Sequence, residues 1–71
     1  MEDEIEVNRY YLIDDEQNFF SGIEDRLFYS KDLRNAISFK TIDEAKRFKK
    51  DLKEYFKTDF DIVKINFEFV K

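Results

Sequence analysis

The clearest structural signal in the sequence is the stretch 41–57, TIDEAKRFKKDLKEYFK. Its apolar residues recur at spacings of three and four, which predicts an amphipathic helix over about residues 42–57. These residues are Ala45, Phe48, Leu52, Tyr55 and Phe56. Thr41 and Glu44 have the spacing of a capping box, which marks the start of the helix. A helix with one apolar stripe must bury that stripe against a second layer, so the rest of the chain has to supply one.

Residues 60–70, FDIVKINFEFV, follow the predicted helix and alternate between apolar and polar side chains. This alternation predicts a strand with a buried face and a wet face, as in an antiparallel or mixed sheet. The predicted buried row is Val63, Ile65, Phe67 and Phe69, and the wet row is Lys64, Asn66 and Glu68. The end of the strand, 67–70, contains no Pro. If the strand lies at a sheet edge, it could pair with its copy across a two-fold axis, so a homodimer is one possible assembly.

The first half of the chain predicts shorter elements. Residues 5–13 have the pattern of a strand, residues 14–18 that of a polar turn, and Phe19 begins a second strand that Gly22 ends or bulges. Residues 5–22 are therefore predicted to form a hairpin with a long loop. Residues 27–29 and 37–39 are predicted as short strands, and Ser30 as the N-cap of a brief helical turn between them.

These elements predict an α+β fold with two layers. A small antiparallel or mixed sheet of three to four strands carries one amphipathic helix packed on one face. The length of 71 residues allows one domain, which we place at 5–71 after a frayed segment, 1–4.

The composition argues against catalysis and against cofactors. The chain has no Cys and no His, which excludes disulfides and ordinary zinc sites and removes the usual acid–base side chain. One Gly cannot build a phosphate-binding loop, and the carboxyl groups lie in polar runs typical of solvated turns. We therefore expect no enzyme activity, no metal and no cofactor. The acidic start, Met1–Glu4, lacks the basic region of a signal peptide, and no apolar stretch reaches the roughly 20 residues of a membrane helix. A cytoplasmic location without membrane contact is expected.

Charge and aromatic content instead favour a protein-binding module. Residues 1–30 carry nine acids and two bases, whereas residues 31–71 carry eleven bases and eight acids. Nine Phe and four Tyr are more than so small a core can hold, and exposed aromatic residues are enriched at interfaces. The predicted protein-binding residues are Asp14, Asp15, Glu16, Phe19, Phe20, Glu24 and Asp25.

Two other uses of the charged residues remain open. The predicted helix carries Lys46, Lys49, Lys50 and Lys53, which could contact phosphates in a nucleic-acid-binding regulator, although the net charge of −4 makes this the alternative. Conversely, the acids of the first half could imitate the phosphates of DNA and attract a DNA-handling protein. These acids are Glu2, Asp3, Glu4, Glu6, Asp14, Asp15, Glu16, Glu24 and Asp25.

Three blocks of the sequence resemble a protein family. They are 10–13 with 19–22, then 35–45, and finally 63–65. Together they resemble small uncharacterised proteins encoded by phages and prophages of low-GC Gram-positive bacteria, which share an early hairpin, an Ala-x-x-Phe-x-Thr-x-x-Glu-Ala helix start and a closing strand. The shared motifs are structural and carry no catalytic residues. The resemblance implies a phage accessory protein that binds and inhibits a host or defence protein.

Overall fold

The structure, a computed structural model, describes the backbone of residues 4–70 and the side chains of residues 6–68. The elements are strands β1 (Glu4–Ile13), β2 (Phe19–Ile23) and β3 (Leu27–Ser30), a 3-10 helix (Leu33–Asn35), helix α1 (Ile42–Phe56) and strand β4 (Asp61–Val70). The predicted α+β fold is confirmed. The expected fraying of 1–4 falls mostly on residues 1–3, which lie outside the described part. Glu4 already belongs to β1.

The four strands form one antiparallel sheet in the order β3-β2-β1-β4. β1 and β4 pair over ten consecutive residue pairs, from Glu4↔Val70 to Ile13↔Asp61. In contrast, β1 and β2 pair only at Ile13↔Phe19, next to the turn that joins them. The predicted hairpin is therefore present, but its two strands separate immediately after the turn.

Residues 37–39 fill the gap between these separating strands. The backbone N–H and C=O of Tyr10 form two hydrogen bonds with Phe39, at 2.9 and 2.8 Å. Two residues earlier, the Ile37 N–H donates to the carbonyl of Phe20 at 3.0 Å. The predicted short strand at 37–39 thus exists as a single bridge that satisfies backbone groups of both β1 and β2.

Two local predictions concern β2 and the 3-10 helix. The register between β2 and β3 shifts between Phe20 and Gly22. Gly22 therefore lies at a bulge, which is one of the two roles predicted for it, the other being the end of the strand.

The prediction that Ser30 caps the helical turn is wrong. Asp32 is the N-cap, and its side chain accepts from the Arg34 N–H, whereas the Ser30 hydroxyl accepts from the Asp32 N–H.

The helix agrees closely with its predicted bounds. The Thr41 hydroxyl accepts a hydrogen bond from the Glu44 N–H at 3.2 Å, which caps the first turn as predicted. The helix ends at Phe56 because Lys57 adopts the left-handed conformation, with φ 58°. The Lys57 N–H still donates to the carbonyl of Lys53, so the last turn is closed by an αL C-cap.

The core lies between α1 and one face of the sheet. Ala45 and Leu52 of the helix meet Leu12, Phe20 and Phe60, all of them almost completely buried. Aromatic rings join the layers, since the Phe20 ring centroid lies 6.0 Å from that of Phe60. The helix therefore packs on the sheet face as predicted.

The alternation predicted for β4 is confirmed, and the structure shows which of its two faces meets the helix, a point that the alternation left open. Lys64, Asn66 and Glu68 are exposed, whereas Val63, Ile65 and Phe67 are half-buried. However, the residue of β4 that packs against the core is Ile62, which shares its face with the exposed row. The helix covers only the Ile62 end of this face, and the row of Val63 faces away from the helix.

The core assignment predicts unequal effects for two aromatic truncations. Phe20→Ala should lower the free energy of unfolding by about 3–5 kcal/mol, because it removes a fully buried ring. Tyr55→Ala should change it by less than about 0.5 kcal/mol, since Tyr55 is 81% exposed. Urea unfolding followed by circular dichroism measures both. Equal losses for the two variants would contradict the assignment of Phe20 to the core.

Candidate protein-binding site

An acidic groove lies where the β1–β2 turn meets the segment between α1 and β4. Its volume is about 780 Å³. It is lined by Asp14, Asp15, Glu16, Asn18, Tyr29, Lys57, Thr58, Asp59, Phe60 and Asp61. Five of these ten residues are carboxylates and one is a lysine, so the groove has a strong negative potential.

One wall of the groove is the β1–β2 turn, and Asp14 holds this turn together. Its Oδ1 accepts hydrogen bonds from the N–H groups of Glu16, at 2.9 Å, and Asn18, at 2.8 Å. The Asn18 N–H is therefore satisfied while its carbonyl accepts from the Asp14 N–H at 3.0 Å. Gln17 takes a positive φ of 64° at the tip. Asp14 is thus a structural residue, and the exposed carboxylates of this wall belong to Asp15 and Glu16.

The opposite wall is the segment that connects α1 to β4. The left-handed Lys57 turns the chain away from the helix axis, and the Phe60 side chain anchors it in the core. Asp61 then pairs with Ile13, directly before the turn of Asp14. Tyr29 of β3, 43% exposed, stacks on Phe60 with ring centroids 6.1 Å apart and supplies an aromatic surface in the groove.

Nearby lysine side chains neutralise only part of the negative charge of the groove. The Asp59 carboxylate lies 3.9 Å from the ammonium of the half-buried Lys49 and 3.8 Å from that of the exposed Lys53. Such exposed ion pairs are weak and screened by salt. On the wall formed by the β1–β2 turn, the Lys31 ammonium donates to the backbone carbonyl of Glu16 at 3.5 Å. This contact does not involve the Glu16 carboxylate.

The structure brings together only part of the predicted protein-binding set. Asp14, Asp15 and Glu16 line the groove. Phe19 is half-buried on the sheet face away from the helix, where its ring contacts Tyr11 edge-on at 5.9 Å. Phe20 has no exposed surface, so its prediction as a contact residue is wrong: it belongs to the core.

Glu24 and Asp25 are exposed but lie elsewhere. They form the β2–β3 turn, in which the Glu24 N–H donates to the carbonyl of Arg26 at 3.0 Å. The length of β2, roughly 13 Å from Phe19 to Ile23, separates this turn from the groove. The acids predicted as a DNA mimic are therefore divided, with Glu6 on the distant half of β1. Glu2, Asp3 and the side chain of Glu4 lie outside the described part of the chain.

The groove also contains residues that the sequence did not single out. Tyr29, Lys57, Asp59 and Asp61 join it because β4 pairs with β1 and because β3 lies beyond β2. The residue Asp61 is 47 positions from Asp14 in the sequence, and only the strand register makes them neighbours. A charged residue before a strand is by itself an ordinary turn signal.

The predicted lysine site forms a separate surface, which we call the lysine flank. Lys46, Lys49, Lys50 and Lys53 line a shallow depression of about 380 Å³ together with Ile62. At 3.6 residues per turn, these four lysines fall within roughly 100° of the helix circumference. The other flank carries acids and the exposed aromatic residues Phe48 and Tyr55.

Among the described residues, a third ion pair lies outside these surfaces and has a local role. The Arg34 guanidinium lies 2.8 Å from the Asp32 carboxylate, and its hydrogen bond lowers the pKa of Asp32, with a further contribution from the Arg34 backbone N–H. The same contact raises the pKa of Arg34. Asp32 is the N-cap of the 3-10 helix and Arg34 lies within it, so the pair stabilises the cap of that turn.

Comparisons with protein-family models, with curated proteins and with solved structures found no match to the chain. Among the described residues, no three acidic side chains are grouped closely enough to hold a metal ion. No helix in residues 4–70 is long and apolar enough to cross a membrane.

The role of Asp14 predicts a specific pair of effects on stability. Asp14→Ala should lower the free energy of unfolding by about 1–2 kcal/mol, because the N–H groups of Glu16 and Asn18 lose their acceptor. Asp14→Asn should restore most of this loss, since its amide oxygen can accept the same bonds. Thermal unfolding measures both variants against Asp15→Ala as the control. An equal loss in the Ala and Asn variants would show that charge, not hydrogen bonding, holds the turn.

Proposed function

We propose that this protein is a small protein-binding module that uses the acidic groove to bind a basic segment of a partner protein. The observation that carries the proposal is the convergence of five carboxylates and an exposed tyrosine in one groove. Carboxylates on opposite walls can contact lysine or arginine side chains from two directions. The Tyr29 ring offers a surface on which an arginine or the stem of a lysine can stack.

Binding suits this groove better than catalysis. Its side chains include no His or Cys, since the chain has none, and its exposed carboxylates lie on a turn and a connecting segment open to water. A general acid or base at neutral pH requires a group whose pKa is moved towards 7 by burial or by neighbours. Opposite charges across an interface, in contrast, act at exposed positions, where they speed association and select the partner.

The partner class follows from the charges and from the family resemblance. A basic patch on a nucleic-acid-handling protein is the surface most complementary to the groove, because such proteins concentrate lysine and arginine where they meet phosphates. The resemblance to phage and prophage proteins narrows the proposal further, to an inhibitor or modulator of a host or defence protein in the cytoplasm. In that role the groove would compete with nucleic acid for the partner.

Charge reversal on one wall of the groove tests the proposal. Asp15→Lys with Glu16→Lys changes two exposed carboxylates and leaves the Asp14 hydrogen bonds in place. The matched control, Glu24→Lys with Asp25→Lys, makes the same charge change at the far end of β2. Each tagged chain is used for pull-down from a Gram-positive lysate with and without nuclease treatment, and each is titrated with a fluorescent arginine- and lysine-rich peptide.

The expected result is one stoichiometric protein retained by the wild type and the control but lost by the groove variant. The peptide should bind the groove variant at least about tenfold more weakly than the control, since the reversed side chains repel it. Equal binding by both double variants would overturn the proposal, because overall charge would then explain the interaction. Recovery only of proteins that disappear after nuclease treatment would favour the lysine flank.

A second candidate function, nucleic-acid binding, has support from the segregation of charge on α1. Four lysines share the flank beside Ile62, whereas Glu44 and Asp51 lie on the opposite side of the helix. Lysines in a row on one helix face match the spacing of a phosphate backbone better than lysines spread around it. Lys49 and Lys53 lie near Asp59, whereas Lys46 and Lys50 form no ion pair among the described residues and are the more available pair.

This second candidate predicts weak binding that depends steeply on salt. A labelled single-stranded oligonucleotide should bind at low salt, with an affinity that falls by roughly the third power of the salt concentration if all four lysines contact phosphates. Lys46→Glu with Lys50→Glu should abolish the binding, whereas Lys31→Glu with Lys40→Glu should weaken it only slightly. Fluorescence anisotropy measures both. The absence of any binding at low salt would exclude this function.

A further inference from the structure

Strand β4 is an unusually regular sheet edge. It is the outermost strand in the order β3-β2-β1-β4, and its ten residues pair with β1 without a register shift. It contains no Pro, because the chain has none. Natural edge strands are normally short, bulged or interrupted by Pro, which prevents them from pairing with another chain. β4 is long and has neither a bulge nor a Pro, so its charged side chains, Lys64 among them, are its remaining protection.

The hydrogen bonds of β1 identify which groups of this edge point outwards. Tyr10 directs its N–H and C=O to Phe39, so its pair with Lys64 on the other side is a non-hydrogen-bonded pair. Lys64 therefore directs its own backbone groups away from β1. By alternation the same holds for Ile62, Asn66 and Glu68. Within residues 4–70, none of these four has a backbone hydrogen bond outside the sheet ladder.

Charge selects one register for pairing this edge with a second copy. In an antiparallel pair centred on Asn66, Lys64 of each copy lies directly opposite Glu68 of the other. Opposite charges in directly facing positions stabilise a strand pair. Registers centred on Lys64 or on Glu68 instead place like charges opposite each other. The sequence of β4 is thus complementary to itself in the register centred on Asn66. In this register Lys64, whose charge would otherwise discourage pairing at a sheet edge, lies opposite Glu68 of the other copy.

Two contacts within one chain support the same register. Glu68 lies directly opposite Glu6 on β1, and such a like-charged pair is destabilising. Among the described residues neither glutamate forms an ion pair, so a lysine from a second copy would relieve the repulsion. In addition, the Asn66 side chain donates to the Asn8 side chain at 2.8 Å. With Asn66 facing its copy, this amide contact would extend across the two-fold axis.

The rest of the fold leaves room for the second copy. The core meets β4 at Ile62, four positions before the proposed axis. The Ile62 residues of the two copies would lie roughly 26 Å apart along the strands, so the two lysine flanks do not collide. The other open edge, the Glu4–Arg9 half of β1, directs the backbone of Glu4, Glu6 and Asn8 outwards and carries negative charge, which opposes self-pairing.

We propose that the chain forms a homodimer by antiparallel pairing of β4 with β4 of a second copy, centred on Asn66. The dimer has one eight-stranded sheet with both helices on the same face. Ile65 of each copy faces Phe67 of the other, which continues the half-buried apolar row across the junction. This interface is independent of the acidic groove, which stays open at the outer end of each copy.

A charge swap tests the register directly. Lys64→Glu and Glu68→Lys are made singly and together in the full chain, and sedimentation velocity over a wide concentration range measures the dimer dissociation constant. Each single variant places like charges opposite each other twice per dimer, and should raise the constant by about tenfold or more. The double variant restores opposite charges and should return the constant to near the wild-type value. Lys40→Glu and Glu54→Lys are matched controls away from the edge and should dimerise like the wild type.

Stability of the monomer separates this effect from misfolding. Glu68→Lys replaces a like-charged pair with an attractive pair to Glu6, so its thermal unfolding at low concentration should occur at the same or a higher temperature while dimerisation weakens. A wild-type chain that stays monomeric at every concentration would overturn the proposal. So would a dimer that neither single variant weakens, or one that the double variant fails to restore.

Discussion

The pairing of the first strand with the last is the constraint on which the rest of this structure depends. Ten residue pairs join β1 to β4, whereas β1 and β2 share only one pair although they are neighbours in the chain. Closing the long loop between the ends of the chain costs more entropy than closing a local hairpin, so the side chains on this ribbon must stabilise it. These side chains stabilise the ribbon at one end, where Leu12 and Ile62 pack against the core beneath the helix. The other half of the ribbon extends beyond the helix.

The core that holds this ribbon is small and aromatic. The chain has no disulfide or metal to stabilise it, and a domain of 71 residues buries little surface. Phe20, Phe39 and Phe60 compensate with large buried rings from three different segments. Phe39 also occupies the gap between β1 and β2 through backbone hydrogen bonds, so one residue completes both the sheet and the core. The surplus aromatic residues are found at the rim, where Tyr29 lies in the groove and Tyr55 on the exposed helix.

The same ribbon organises the surface charge into distinct regions. Its Ile13↔Asp61 end joins the acidic turn to the segment after the helix and so creates the groove. The lysine flank lies beside it, and Asp59 is the point at which the two surfaces meet, through Lys49 and Lys53. A protein with a small negative net charge therefore presents two patches of opposite sign. The far end of the ribbon carries the alternating charges of the β4 edge.

The sequence alone determined the local elements of this protein, and only the tertiary structure decided its surfaces. Periodicity, the Thr41 cap and the alternation from Val63 onwards are local signals, because they act between residues a few positions apart. They predicted the α+β fold, the helix and the β4 strand almost to the residue. Which face of β4 meets the helix could not be predicted. The alternation is more regular in the row of Val63, but the face of Ile62 meets the helix because Phe60 and Ile62 pack with Leu12 and Leu52 in the core. Likewise, Phe19 and Phe20 look equivalent in the sequence, yet a one-residue step along a strand places them on opposite faces. The acidic groove joins residues 47 positions apart, which no local signal connects, and the β1–β4 register alone brings Asp14 and Asp61 together.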